Sequence, residues 1–167
     1  LREARLLDTI TTKIEHGRSL TEILDYIFES FHTIMPYDRI GFALIDQDSQ
    51  SIRSMWARSS CGTSALDKGY TAPLKGSSLE EVIRTRTPRI INDLADYYRD
   101  KPDSESTRLI LKEEMRSSLT CPLVAMEKPV GFLFFSHRSP NTYEKSHVDV
   151  FMRTAGHDSR IVEKGIL

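Results

Sequence analysis

One arginine opens a predicted strand and another closes the next, and these two are well suited to gripping an acidic molecule. Arg39 follows a predicted helix and begins the run Ile40 to Ile45, and Arg58 ends the run Ser51 to Arg58. A guanidinium offers a planar fork of donors that meets two oxygens at once. The same positions also suit a solvated strand end or an ion pair with Asp38 or Asp46. Trp56, the single tryptophan, lies on the second run. An indole supplies an apolar wall with one N–H donor, which fits a small-molecule pocket or a core. Tyr70, Tyr97 and Tyr98 fall in a polar stretch further on, where a cover over a cavity needs polar tips.

Other chemistry has less support. Cys61 lies in a Gly/Ser/Thr-rich loop and is the better candidate for an exposed thiol, whereas Cys121 is central in a predicted strand and reads as a small hydrophobe. Two cysteines without spaced histidines make neither a disulfide framework nor a zinc site, so no metal is expected. His16, His32, His137, His147 and His157 are scattered, with no i, i+4 pair among them. No nucleophile elbow or phosphate loop is present, so no catalytic residue is expected and the chain reads as a non-enzyme.

These candidates must be positioned by elements that the periodicity outlines. Leu6, Leu7, Ile10 and Ile14 predict an amphipathic helix ending near His16-Gly17. Ser19 with Glu22 three residues on is a capping-box pattern. Leu20, Ile23, Leu24, Ile27, Phe28, Phe31 and Ile34 then form a helical stripe that Pro36 ends. Ile40 to Ile45 is apolar on both faces, as in a strand covered on both sides. Asp46 to Gln50 is turn chemistry, making a hairpin with Ser51 to Arg58.

The segment 59–114 is an irregular excursion. It is predicted to carry a short helix from Ser77 or Ser78 to Arg84, a short strand Arg89 to Ile91, a polar aromatic stretch Asn92 to Asp103, and a helix Ser104 to Glu114. A second hairpin follows, from Glu114 to Met126 and from Lys128 to His137. A last helix starts near Asn141 or Thr142, with Val148, Phe151, Met152, Ala155 and Val162 as its buried stripe. The order predicts an antiparallel sheet with the terminal helices on one face and the excursion roofing a cavity on the other.

The chain of 167 residues, 39% hydrophobic and 28% charged, suits a globular fold without disulfides. A formal charge of -1 gives no pull toward nucleic acid or an anionic membrane. No apolar run approaches the roughly 20 residues that cross a bilayer. Sparse cysteine fits a reducing, cytoplasmic setting. An opening Leu-Arg-Glu without an initiator Met predicts a piece of a longer protein.

Three stretches in this order resemble a GAF domain: LTEILDYIFESFHTIMPYDRIGFALID, GSSLEEVIRTRTPRIINDL, and RSSLTCPLV followed by KPVGFLFFSHRSPNTYEKSHVDVF. The resemblance runs from Ser19 to Val162. It implies an α+β, three-layer fold with a mostly antiparallel sheet of about five or six strands. It also implies a bacterial sensory module of a histidine kinase, chemoreceptor or transcriptional activator, with a small-molecule ligand, an output domain in the same chain and a homodimer formed through terminal helices. On this reading 1–17 is a signalling helix and 18–165 the sensor domain. The expected ligand-binding set is Arg39, Phe42, Trp56, Arg58, Tyr97, Ser118, Thr120 and Phe134.

The departures matter too. Neither Cys61-Gly62 nor Cys121-Pro122 matches the Cys-His of bilin attachment, and no histidine lies between Ser59 and Glu114 to ligate haem. No cofactor is therefore assigned beyond an unidentified small molecule. The alternative is a ligand-free dimerisation or interaction module whose cavity is plugged by Phe132, Phe134 and Phe135. A redox enzyme of the methionine-sulfoxide-reductase type comes last, because it needs several reactive thiols.

Overall fold

Alternation of side chains along the strands decides which residues face which layer. In the computed structural model, residues 2–60 and 69–166 are described, with side chains of the last helix described at 145–154, 160 and 163. The order is α1 (Arg2–Glu15), α2 (Leu20–Ser30), a 3₁₀ turn (Phe31–Thr33), β1 (Arg39–Asp46), β2 (Ser51–Ser59), β3 (Thr71–Pro73), α3 (Leu79–Thr85), β4 (Arg89–Ile91), α4 (Leu94–Asp100), α5 (Glu105–Lys112), β5 (Ser117–Ala125), β6 (Lys128–His137) and α6 (Lys145–Ile166). One six-stranded antiparallel sheet runs β3-β2-β1-β6-β5-β4.

The helix starts follow local chemistry. Ser19 accepts the Glu22 amide at 3.2 Å and closes the first turn of α2. The α2 stripe leaves the α-helical path at Ser30 and finishes in the 3₁₀ turn, which still buries Phe31. Two elements lie where an irregular chain was expected. β3 is three residues long, an edge strand in which Pro73 faces no missing ladder partner. α4 is seven residues long and buries only Leu94, so it shows no period; Asp93 starts it by accepting the Asp96 amide at 3.0 Å.

α1, α2 and α6 pack together on one face, over Ile40, Phe42, Leu119, Cys121, Leu123, Leu133 and Phe135. The expected α6 stripe is corrected at Met152, which is half exposed; Phe151 is buried, while the Ala155 and Val162 side chains lie outside those described. On the opposite face the described part of the excursion closes over the sheet through two apolar clusters. Leu74 and Val82 meet Ala43, Ile45, Ile52 and Phe132, and Leu94 meets Ile110 and Met115. The β5–β6 hairpin turns on Met126 and Glu127, both at positive φ (51° and 65°) without glycine. Arg86 braces that turn by donating to the Glu127 carbonyl at 2.9 Å.

Candidate functional site

Register lays the excursion face of the sheet out in rows. One row runs Arg39, Ser136, Ser118 and Ile91 across β1, β6, β5 and β4. The next runs Gly41, Phe134, Thr120 and Arg89, and a third holds Ala43, Phe132 and Pro122. Their neighbours along each strand point into the helix-side core, as period two requires. Polar groups thus form a strip between two apolar clusters, beneath α3, α4 and α5.

The strip is held by a buried ion pair. Arg39 Nε donates to Glu113 Oε1 at 2.9 Å, with both side chains at most 4% exposed. Glu113 caps the C-terminal end of α5, so this contact fastens the excursion to β1. The sequence reading offered Asp38 or Asp46 as the ion-pair partner of Arg39, and the partner is Glu113. Gly41 makes the arrangement possible, since a Cβ there would stand 2.7 Å from Arg39 Nη1.

Of the expected set, Arg39, Ser118, Thr120 and Phe134 share this face, and Tyr97 of α4 lies close enough to bear electrostatically on Arg89. Phe42, Trp56 and Arg58 belong to the other face, which corrects their grouping with Arg39. Phe42 is fully buried against the terminal helices. Trp56 Nε1 donates to Asp25 of α2 at 3.3 Å. Arg58 pairs with Asp25 and Glu29 and covers the ring of Phe28 at 4.8 Å. The cause is a bulge. Phe42 pairs with Trp56 but Ala43 with Ser54, so Met55 is an extra residue. Simple alternation from Ile52 would keep Trp56 on the excursion face, and the bulge turns it and Arg58 over.

The sequence reading missed Arg89 and Glu113. Alternation offered a signal for Arg89: with Ile90 packed toward the helices, its neighbours in a three-residue strand must face the other way. Glu113 had none, because it follows the last turn of a short helix.

Burial pushes the Arg89 guanidinium below its ordinary pKa. Burial, followed by the Glu105 carboxylate, raises the Tyr70 phenol. Among the described residues, no group of three His, Cys, Asp or Glu side chains could hold a metal ion. Cys121 is wholly buried, and Cys61 lies outside the described residues. An open groove at the end of the sheet is lined by Asp38, Glu114, Arg116, His137, Arg138 and Ser139. Its lining shares no residue with the polar strip.

The strip connects mechanically to the terminal helices. Asn92, directly after β4, donates to the Tyr143 carbonyl at 2.8 Å and accepts the Tyr143 amide at 3.1 Å. Its own carbonyl accepts the Asn141 amide at 2.8 Å. Tyr143 donates from its hydroxyl to the Pro36 carbonyl at 2.9 Å, just past α2. One asparagine therefore ties the excursion to the start of α6.

The GAF domain family description matches residues 17–163 of the chain. This chain belongs to the GAF domain family. Among solved structures, it is similar to the GAF domain of a two-component sensor histidine kinase from Bacillus halodurans, at 19% identity over 89% of this chain and 99% of that one, TM-score 0.69. It is also similar to a phycoerythrobilin-bound GAF domain from a cyanobacterial phytochrome, at 14% identity over 99% and 97%, TM-score 0.76. A third is the free methionine-R-sulfoxide reductase from Neisseria meningitidis, in complex with its substrate, at 12% identity over 98% and 90%, TM-score 0.70. No curated protein matches the sequence. At these identities the likeness speaks to the fold, and the GAF fold serves sensing proteins and an enzyme alike. Among the described residues of this GAF domain, no helix is long and apolar enough to cross a membrane.

Proposed function

We propose that this GAF domain is the input module of a larger bacterial signal-transduction protein: a histidine kinase, chemoreceptor or transcriptional activator. A small molecule binds between the excursion and the sheet, and the terminal helices carry the change to an output domain in the same chain. In this reading 1–17 is the signalling helix, 18–165 the sensor, the setting is cytoplasmic, and two copies pair through their terminal helices. The domain has no catalytic role of its own. A fully buried Cys121 fits that, since thiol redox chemistry needs access.

The observation that carries the reading is the polar strip of Arg39, Glu113, Ser118, Thr120 and Arg89 roofed by the excursion and joined through Asn92 to α6. Closure of the roof on a ligand changes the position of β4, and the Asn92 bonds transmit that change to Tyr143. The coupling is bounded by the ligand's differential affinity for the two states.

One observation favours the ligand-free interaction module. Phe132 and Phe134 stack at 5.7 Å on the excursion face and fill the part of it next to β1. Phe135 takes no part in this, because it faces the helices. A thermal-shift screen of purines, bilins, amino acids and organic acids separates the two. A sensor gains a midpoint that rises with ligand concentration by mass action, and an interaction module gains none. Sedimentation at high concentration checks the pairing, where a monomeric mass counts against it.

A further inference from the structure

Arg89 opens β4 under the excursion, and only half of its guanidinium is used. Both of its hydrogen bonds leave from Nη1, to the hydroxyl of Ser78 at 2.7 Å and the carbonyl of Ser78 at 3.3 Å. Its Nε is buried and has no acceptor, the only buried side-chain nitrogen or oxygen so placed among the described residues. Among the described residues, Glu113 is engaged by Arg39, and the ionisable group that bears on Arg89 is the phenol of Tyr97, not a carboxylate. A partly desolvated cation whose buried Nε–H has no acceptor is costly in the unliganded protein. The contact to Ser78 explains one edge of the guanidinium and leaves the other without a structural role.

That vacant edge has a defined complement. The Nε–H and the adjacent Nη2–H of a guanidinium point the same way and are spaced for the two oxygens of a carboxylate. Thr120 sits directly across from Arg89 in the β4–β5 ladder, and Ser118 lies two residues away on the same face. Both residues are buried. Hydroxyls rotate to donate to such oxygens. Among the described residues of the strip, Arg39 and Arg89 stand against Glu113, a net positive charge of one that a monoanion balances and a phosphate dianion overshoots. The clusters of Leu94, Ile110 and Met115 on one side and Phe132 with Phe134 on the other offer apolar walls.

We propose that Arg89, with Thr120 and Ser118 beside it, anchors a site for a small monocarboxylate bearing an apolar tail. This rests on the reading of the excursion face as a small-molecule site and names the chemical class it takes.

The test is a titration of the full chain, by calorimetry and thermal shift at constant ionic strength. The probes are acetate, butyrate, hexanoate and benzoate, each paired with its neutral amide, with inorganic phosphate as a comparator. The expected result is a midpoint raised by one or more of the acids and by neither the amides nor phosphate. Arg89→Lys, which keeps the charge and loses the fork, weakens the best acid about 10- to 100-fold. Arg89→Met abolishes that binding while keeping an unliganded midpoint at or above that of the parent. Acids that bind equally well to Arg89→Met, or amides that match their acids, overturn the assignment and leave a small-molecule site standing. If none of the acids, amides or phosphate shifts the midpoint, and the broad screen is equally silent, both readings fall.

Discussion

The two faces of the sheet are built on opposite principles. Toward the terminal helices a single apolar core runs across β1, β6 and β5, and the polar groups that enter it are bonded. Tyr37 donates to backbone carbonyls of Phe28 and Ile27, and Tyr143 to that of Pro36. Toward the excursion the apolar surface breaks into two smaller clusters, and between them lie two arginines, a glutamate and several hydroxyls. The first face is what stability alone would produce. The second holds buried polar groups that a well-packed apolar layer of the same volume would match or exceed in stability. Such a layer is where binding is to be sought, and the contrast separates residues that fold the domain from residues that give it specificity.

Breaking the buried ion pair gives the largest effect. Glu113→Ala removes the carboxylate half of the buried pair and lowers unfolding free energy by about 3–5 kcal/mol, measured by urea denaturation. It also frees α5 from β1, so amides of 105–112 exchange faster. Leu119→Ala, on the helix side, costs about 2–5 kcal/mol by opening a cavity, yet leaves any ligand-induced midpoint shift unchanged. Those two variants, comparable in cost, differ in whether ligand response survives, and an equal loss of response in both would erase the distinction between the faces.

Smaller changes sharpen the comparison at the periphery. Replacing Met126-Glu127 by Asn-Gly puts suitable residues at two positive φ angles and raises stability by about 1 kcal/mol in thermal denaturation. The smallest effect is one of pH. The amides of Ser49 and Asp48 hold the Asp46 carboxyl below its ordinary pKa. A depressed folded-state value stabilises the fold above the unfolded-state pKa, near 3.9, and that contribution is lost as pH falls through the folded value. Asp46→Asn therefore flattens the acid limb of the stability curve and leaves binding unaltered.

Much of the architecture was legible in the chain. The Ser19–Glu22 cap, the α2 stripe, the Asp46 turn and both long hairpins follow from local signals, and the structure reproduces them. β3 and α4 escaped because three and seven residues are too few to show a period. The site was legible only in part. Arg39, Ser118, Thr120 and Phe134 were assigned to a ligand site and do meet on one face. Trp56 and Arg58 were misgrouped because a one-residue bulge at Met55 reverses the facing of everything beyond it, and nothing in the local composition marks that insertion. Phe42 was misgrouped because β1 is apolar on both faces. Arg89 was passed over because its meaning depends on Ser78, Thr120 and Tyr97, which converge only in three dimensions.

Hydrogen exchange across the whole domain, with and without a saturating compound from the screen, tests the central claim most directly. The account predicts added protection at residues 89–91, 94–100, 105–113 and 118–120, with a weaker effect reaching 141–143 through Asn92. Protection confined to Asp25, Trp56, Arg58 and the terminal helices, with the excursion unchanged, would contradict it.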